Sequence, residues 1–385
     1  RDKLVTGVQT CALPIYIPPS ELAAQVIREA IRRAGVDAKD VGALALGNVI
    51  HTEPRDMYIS RVAAIKAGLS QESTAFGVNR LCGSGMQAIV SAAQMIKLGD
   101  ADIAIGGGAE SMSRGGYLLP TLRSGQRMGD ATAIDMMVGA LTDPFETVHM
   151  GITAENIAAQ WKITREAQDA FAVESHRRAV AAIEKGHFKE QILPIELKTR
   201  KGVTIFDTDE HPRKDASLEG MAKLRAAFKK DGSVTAGNAS GINDGAAAVV
   251  LMEKAAAAQK GLKPMAQLVS YGIAGVDPKI MGIGPVPACN QALARAGLKI
   301  GDIDVVEANE AFAVQAMAVA CDLKFDAAKT NPNGGAVGLG HPIGATGALV
   351  TVKALYELQR TGGKYALVTM CIGGGQGIAA IFERM

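Results

Sequence analysis

The chain repeats itself. Residues 30–40, AIRRAGVDAKD, and residues 292–302, ALARAGLKIGD, agree at five of eleven positions across an offset of 262. The same offset sets a helical pattern at Gly85 against one at Gly347, with Val90 over Val352 and Ala92 over Ala354. Ile105-Gly-Gly-Gly108 recurs as Ile372-Gly-Gly-Gly375 after five extra residues. Three matches in one order point to duplicated halves. Within each half strands alternate with helices, so the fold class is α/β, built as layers of helix and parallel-rich sheet. A chain of 385 residues has room for two or three domains, and 44 glycines suit many tight strand-to-helix turns.

Read in order, residues 1–19 hold three prolines, no clear period and no signal-peptide pattern. They read as a foreign or damaged start, and Cys11 as a cysteine without a role. Ser20 caps a helix over 21–34 that Gly35 stops. A strand follows within 40–49, then helices over 57–66 and 86–98, then a short buried strand over 102–105. The glycines after that strand lack the G-x-G-x-x-G spacing of a dinucleotide loop. Residues 113–240 carry more charge and proline, with helices over 153–161 and 164–185, and read as an insertion. Strands over 247–252, 303–307 and 365–370 return to the core. The division is therefore 1–113, continued by 244–264, for the first half, 114–243 for the inserted domain, and 265–385 for the second half.

Forty-one basic and 39 acidic residues leave a net charge of +2, which gives no sign of a nucleic-acid partner. No apolar run reaches membrane-span length, so no membrane partner is expected. The five cysteines are scattered, odd in number and without a CxxC pair. That argues against metal or a disulfide framework and for a reducing, cytoplasmic compartment. Cys82 in Asn-Arg-Leu-Cys-Gly-Ser-Gly-Met stands where the 86–98 helix begins. Free N–H groups and the helix dipole there favour thiolate, so Cys82 reads as a nucleophile ionised near pH 7. His341 lies in the glycine-wrapped run from Asn333 to Gly347 and can take the thiol proton. By the repeat the two lie at equivalent ends of equivalent elements, which can face each other. Cys371 follows a strand and precedes Gly373-Gly-Gly. A mostly protonated thiol there suits proton transfer. Asn309 can hold a water or a carbonyl oxygen without charge.

Five segments, N-R-L-C-G-S-G-M-Q-A, G-N-A-S-G-I-N-D-G-A, E-A-N-E-A-F-A, G-H-P-I-G-A-T-G and C-I-G-G-G-Q-G, stand in the order of the thiolase family. Residues 20–385 resemble that family in its biosynthetic type, whose first-strand Ala-Arg-Thr-Pro-like motif residues 1–19 do not carry. The resemblance implies duplicated thiolase-like halves in an α-β-α-β-α arrangement with an inserted loop domain. It implies Claisen condensation of two acetyl-CoA to acetoacetyl-CoA and CoA, and the reverse thiolysis, with no permanently bound cofactor and a homotetramer built as a dimer of dimers. Cys82 would carry the acyl group, His341 would activate it, and Cys371 would move the α-proton. One oxyanion site would be His341 with a water on Asn309, the other the N–H groups of Cys82 and Gly373. Coenzyme A would lie on the inserted domain. Its contacts would be Leu141, Met150 and Met281, each also readable as plain core, with Phe228, Ser240 and Phe312. His149, paired with Met150, is typical of the short-chain type, and Arg213, otherwise a solvated charge, would meet phosphate.

Two other readings stand beside this one. A decarboxylating ketoacyl synthase would carry histidine or asparagine where Cys371 stands. A non-catalytic acyl-CoA binder would lack the cysteine or the histidine, and both are present. A broader-range 3-ketoacyl-CoA thiolase remains open within the family.

Overall fold

The computed structural model describes residues 4–11, 17–199 and 202–385. The first half runs β1 (Leu4–Cys11), α1 (Pro19–Ala34), β2 (Ala43–Gly47), α2 (Ile59–Ala67), β3 (Thr74–Val78), α3 (Ser84–Leu98) and β4 (Ile103–Ser111). A long excursion follows, with β5 (Tyr117–Leu118), β6 (Ile134–Asp135), α4 (Met136–Ala140), α5 (Met150–Trp161), α6 (Arg165–Glu184), β7 (Ile195–Thr199), β8 (Gly202–Phe206) and α7 (Leu218–Ala222). The chain returns through β9 (Asp244–Met252) and α8 (Lys254–Gln259). The second half runs β10 (Ala266–Gly275), α9 (Pro285–Ala296), β11 (Val305–Ala308), α10 (Ala313–Leu323), α11 (Ala336–Leu339), α12 (Ile343–Thr361), β12 (Tyr365–Ile372) and β13 (Gln376–Arg384).

The strands lie in the order β11-β12-β13-β10-β1-β9-β4-β2-β3. This is two sheets joined only where β1 meets β10, at Leu4↔Gln267 and Val5↔Ala266. The offset of 262 exchanges these pairs, Leu4 with Ala266 and Val5 with Gln267, so the pseudo-twofold axis passes between them. The alternation of β12 shows the layering. Ala366, Val368, Met370 and Ile372 face a central core with α3 and α12, while Leu367 and Cys371 face the side covered by α9 and α10. Helices α1 and α2 cover the other sheet with Leu22, Ile27, Ile31 and Ile59. Helix, sheet, helix, sheet, helix is the five-layered α/β fold the resemblance implies. Among the described residues no helix is long and apolar enough to cross a membrane.

The central layer shows why the sequence is so rich in glycine. Met86, Ile89, Val90 and Ile96 of α3 are buried against both sheets. Each contributes roughly 1.5–3 kcal/mol by leaving water, and Gly99 ends the helix at φ 87°. Gly85 of α3 and Gly347 of α12 are repeat mates that lie against each other's helices. A Cβ on Gly85 would fall 2.7 Å from the Ala348 nitrogen, and one on Gly347 would overlap the Met86 backbone. Two glycines let the helices cross at backbone contact.

Three expectations need correction. The 102–105 strand extends through Ser111, so Gly106, Gly107 and Gly108 are strand residues and cradle nothing. They are glycines because a Cβ on Gly106 would sit 2.5 Å from the Ile89 Cα, and one on Gly108 would strike the Gly344 carbonyl. Their likeness to Ile372-Gly-Gly-Gly375 is therefore coincidental. β4 and β12 align without extra residues, with Ala43 paired to Ala104 and Val305 to Ala366, and Gly373 lies beyond the end of β12. The second correction concerns the chain start. Leu4–Cys11 is a strand between β9 and β10, antiparallel to both, so it belongs to the fold. Residues 1–3, 12–16 and the Cys11 side chain lie outside the described residues. Third, α1 starts at Pro19, capped by Pro18 without a side-chain bond, and Ser20 is buried inside it.

Candidate active site

Cys82 sits on a strained turn. Leu81 before it has φ 46°, a left-handed conformation that costs a branched residue on the order of 1–3 kcal/mol. The surrounding chain holds it there. The Leu81 N–H donates to Asn79 Oδ1 at 3.1 Å, and the Ser84 hydroxyl donates to the Leu81 carbonyl at 2.7 Å. The same hydroxyl accepts from the Arg80 N–H at 2.8 Å. The turn points the thiol at the stretch after β12. The backbone N–H groups of Gly373 and of Cys82 itself face the sulfur and favour its thiolate. A Cβ on Gly373 would lie 2.9 Å from Met150 Cε and 3.0 Å from Leu81 Cδ1, so any side chain there would push on the ends of both.

Burial outweighs those donors. It is the largest influence on Cys82 and lifts its thiol to about 11, with the Glu110 carboxylate adding to the rise. Against the expectation of a standing thiolate near pH 7, desolvation of the sulfur exceeds the pull of the helix start, although the residue as a whole is only half-buried. Cys371 is fully buried on β12. Burial first, then the proximity of Cys82, push it well above the ordinary thiol value, so it rests protonated as expected.

His341 is placed by three contacts. Its N–H donates to Asn243 Oδ1 at 2.9 Å. Its Nδ1 lies 2.7 Å from Thr346 Oγ1, and that hydroxyl already donates to the Pro342 carbonyl at 2.8 Å. The hydroxyl must therefore accept from Nδ1–H, which leaves Nε2 as the bare, basic nitrogen. Nε2 faces Asn309 Nδ2 at 3.4 Å, and the buried Asn309 Oδ1 has no partner. Burial lowers His341 to about 4, so it is neutral at physiological pH and able to accept a proton. Asn309 is tied to β12 by its N–H, which donates to the Thr369 carbonyl at 2.9 Å.

The excursion supplies the surroundings. His149 caps α5 through Nδ1, which accepts from the Gly151 N–H at 3.0 Å. Its ring stacks on Phe228 with centroids 4.4 Å apart, and Phe228 meets Phe312 edge-on at 6.3 Å. Ser240 binds the Ala311 carbonyl through both N–H and Oγ–H, which seats its loop beside Phe312. Met150 and Met281 share a buried cluster with Phe312 and Cys371, and Leu141 packs in the cluster of Leu81, Cys82 and Ile343. Arg213 stands apart from this group. It lines a separate cavity of about 280 Å³ with His176, His211, Met221 and Ala239.

Residues 16–255 match the thiolase N-terminal domain and residues 262–384 the thiolase C-terminal domain. A curated relative, beta-ketothiolase BktB of Cupriavidus necator, is 65% identical over 99% of this chain and 98% of its own. The acetyl-CoA acetyltransferase of Syntrophomonas wolfei is 52% identical over 95% and 93%. The crystal structure of the Bacillus anthracis acetyl-CoA acetyltransferase superposes with a TM-score of 0.97 at 45% identity, covering 100% and 99% of the two chains. That of human mitochondrial 3-ketoacyl-CoA thiolase in complex with CoA does so at 0.97 and 40%, over 100% and 98%. The chain belongs to the thiolase family.

Within this thiolase, sequence reasoning missed the residues that set the histidine's tautomer and pose. Thr346 was readable, since it lies five positions after His341 in a helix start. Asn243 was not, because it reaches His341 across 98 positions of chain.

Proposed function

We propose that this thiolase is an acetyl-CoA C-acetyltransferase, condensing two acetyl-CoA to acetoacetyl-CoA and CoA, or running the reverse thiolysis. The observation that carries the reading is the pairing of two thiols, Cys82 against the Gly373 N–H and close to buried Cys371, in a site where Cys82 packs with Ile343, two residues from the neutral His341 imidazole. His341 Nε2 takes the Cys82 proton as sulfur attacks the first thioester, and charge on the carbonyl oxygen falls to the N–H groups of Cys82 and Gly373. The expelled CoA thiolate takes the Cys371 proton. Cys371 thiolate then removes the α-proton of the second acetyl-CoA, whose enolate oxygen rests on a water between Asn309 and His341. The carbanion attacks acetyl-Cys82, and the freed Cys82 thiolate recovers its proton from His341. Every group ends as it began. Coenzyme A thioesters are substrates here, and the chemistry calls for no resident cofactor.

The CoA carrier lies against the inserted segment, 114–243, with the acyl end under Met150 and between His149, Phe228 and Phe312. Arg213 meets its phosphates in the 280 Å³ cavity. The names of the relatives leave two acyl ranges, and the bulk of Met150 over Gly373 favours the short one. Exposed Tyr117, Leu118, Leu122 and Met128 around β5 and β6 support assembly as a homotetramer, and the four cysteines that are free among the described residues support a reducing, cytoplasmic setting. Radiolabelled acetyl-CoA should acetylate the wild type and leave Cys82→Ala unlabelled. Acetoacetyl-CoA should turn over faster than longer 3-ketoacyl-CoAs, and labelled Cys82→Ala would refute the scheme.

A further inference from the structure

Asn243 packs against two glycines. A Cβ on Gly340, at φ 103°, would lie 2.5 Å from the Asn243 Cγ, and one on Gly241 would meet Asn243 Oδ1 at 3.2 Å and overlap the His211 ring. The donors and acceptors around this amide allow one arrangement. The His341 N–H can only donate, so Asn243 turns its oxygen to it, at 2.9 Å. Its NH₂ then faces His211 Nδ1 at 3.3 Å, which must accept. His211 Nε2 lies 3.2 Å from the Val337 carbonyl, an acceptor only, so Nε2 carries the hydrogen. The chain from Val337 through His211 and Asn243 to His341 closes only when His211 is neutral.

We propose that Asn243 and His211 are positioning residues for His341, and that protonation of His211 in the Arg213 cavity releases the catalytic histidine. A proton on Nδ1 would set N–H against NH₂. The amide must then turn over, and the His341 N–H loses its acceptor. The groups facing His211 are the His176 ring at 6.2 Å from α6, the Arg213 guanidinium, and Asp215 on the same cavity wall. Burial and Arg213 hold His211 below the ordinary histidine range, so the tie is closed near neutrality and opens on acidification.

The inference rests on the acyl-transfer reading only through His341's role as base, so its test uses two readouts. One is single-turnover acetylation of Cys82 by acetyl-CoA. The other is Cys82 alkylation by iodoacetamide, followed by mass spectrometry, which needs no CoA. With the Cys82 thiol at about 11, the thiolate fraction and the alkylation rate fall smoothly as pH drops. A third group shows as an added drop on that slope, above the pH near 4 where His341 itself titrates. The wild type should show that added drop in both rates. His211→Asn keeps an oxygen for the Asn243 NH₂ and cannot titrate, so its fall should move to lower pH. Asn243→Ala should slow both rates at least about tenfold at neutral pH, with CoA affinity retained. Profiles of wild type and H211N that superimpose, or N243A reacting at the wild-type rate, would overturn the proposal. Should N243A fail to fold, the H211N profile decides alone. Alkylation behaving as described without any acetylation would sustain the positioning role and remove the acyltransferase reading.

Discussion

Cys82 and Cys371 carry the same atom in different surroundings, and their variants should part accordingly. Cys371→Ser keeps a hydroxyl but raises the proton donor's pKa by several units. It should still acetylate Cys82 while steady-state condensation and thiolysis fall at least about a hundredfold, the usual scale of an acid–base group. Burst acetylation and acetoacetyl-CoA thiolysis measured on one preparation would show the split, and loss of both together would mean that the roles are wrong. Thr346→Val removes the acceptor that holds the Nδ1–H tautomer of His341. Acetylation should drop about tenfold or more, and Thr346→Ser should restore most of it. Equal rates in all three proteins would leave the tautomer to some other group.

At the scale of elements, backbone contact between α3 and α12 holds the nucleophile and the base in register. Gly347→Ala would drive a methyl into the Met86 backbone. Overpacking of that kind costs about 1–3 kcal/mol or more, and here it would also part Cys82 from His341. Thermal melting should show a loss of several degrees, with acetylation falling further than stability alone explains. Gly301 is the control, since a Cβ there would meet nothing within 4 Å and its φ is not left-handed. Gly301→Ala should leave both properties within error, and a comparable loss there would undo the crossing argument.

The whole molecule carries its own pH signature. Burial holds His341 and His176 at about 4 and lowers His211 and His149 as well. Unfolded histidine titrates near 6.5, so below that pH the unfolded chain binds the extra protons. The histidine share of stability is full above about 6.5 and is lost as pH falls toward 4, roughly 3 kcal/mol for each of His341 and His176 by the end of that window. Burial raises Glu110 to about 8 and Asp209 and Glu307 to about 7, and these carboxyls favour the fold as pH falls. The histidine share is therefore read by difference: between pH 6.5 and 4.5 the urea midpoint of the wild type should lose ground to that of His176→Asn, and parallel series would contradict the burial of that ring. Assembly is a separate matter. Light scattering at micromolar concentration should give a tetramer, and Met128→Asp with Leu122→Asp should shift it toward smaller species. A monomeric wild type would remove the homotetramer.

Periodicity and repetition were legible in the chain itself. The offset of 262 gave the duplication, three-and-four spacing located α3, and Gly35 marked a helix end with left-handed φ. Those are local signals, written in neighbouring residues. The same offset carries Leu4 to Ala266, and so held the evidence for β1 that composition alone obscured. Cys82, His341, Cys371 and Asn309 were readable as reactive types in glycine-rich surroundings, and the repeat set the Cys82 and His341 elements at equivalent ends that can face each other. What local signals could not decide was solvent. A helix start favours thiolate in water, yet the Cys82 sulfur is desolvated beside the chain after β12, and that reverses the sign. Spacing spoke against a dinucleotide loop at Gly106 to Gly108, yet only packing showed that Gly106 and Gly108 admit α3 and α12. Asn243 and His341 meet only because two remote loops close on each other, and distance in the chain carries no record of that contact.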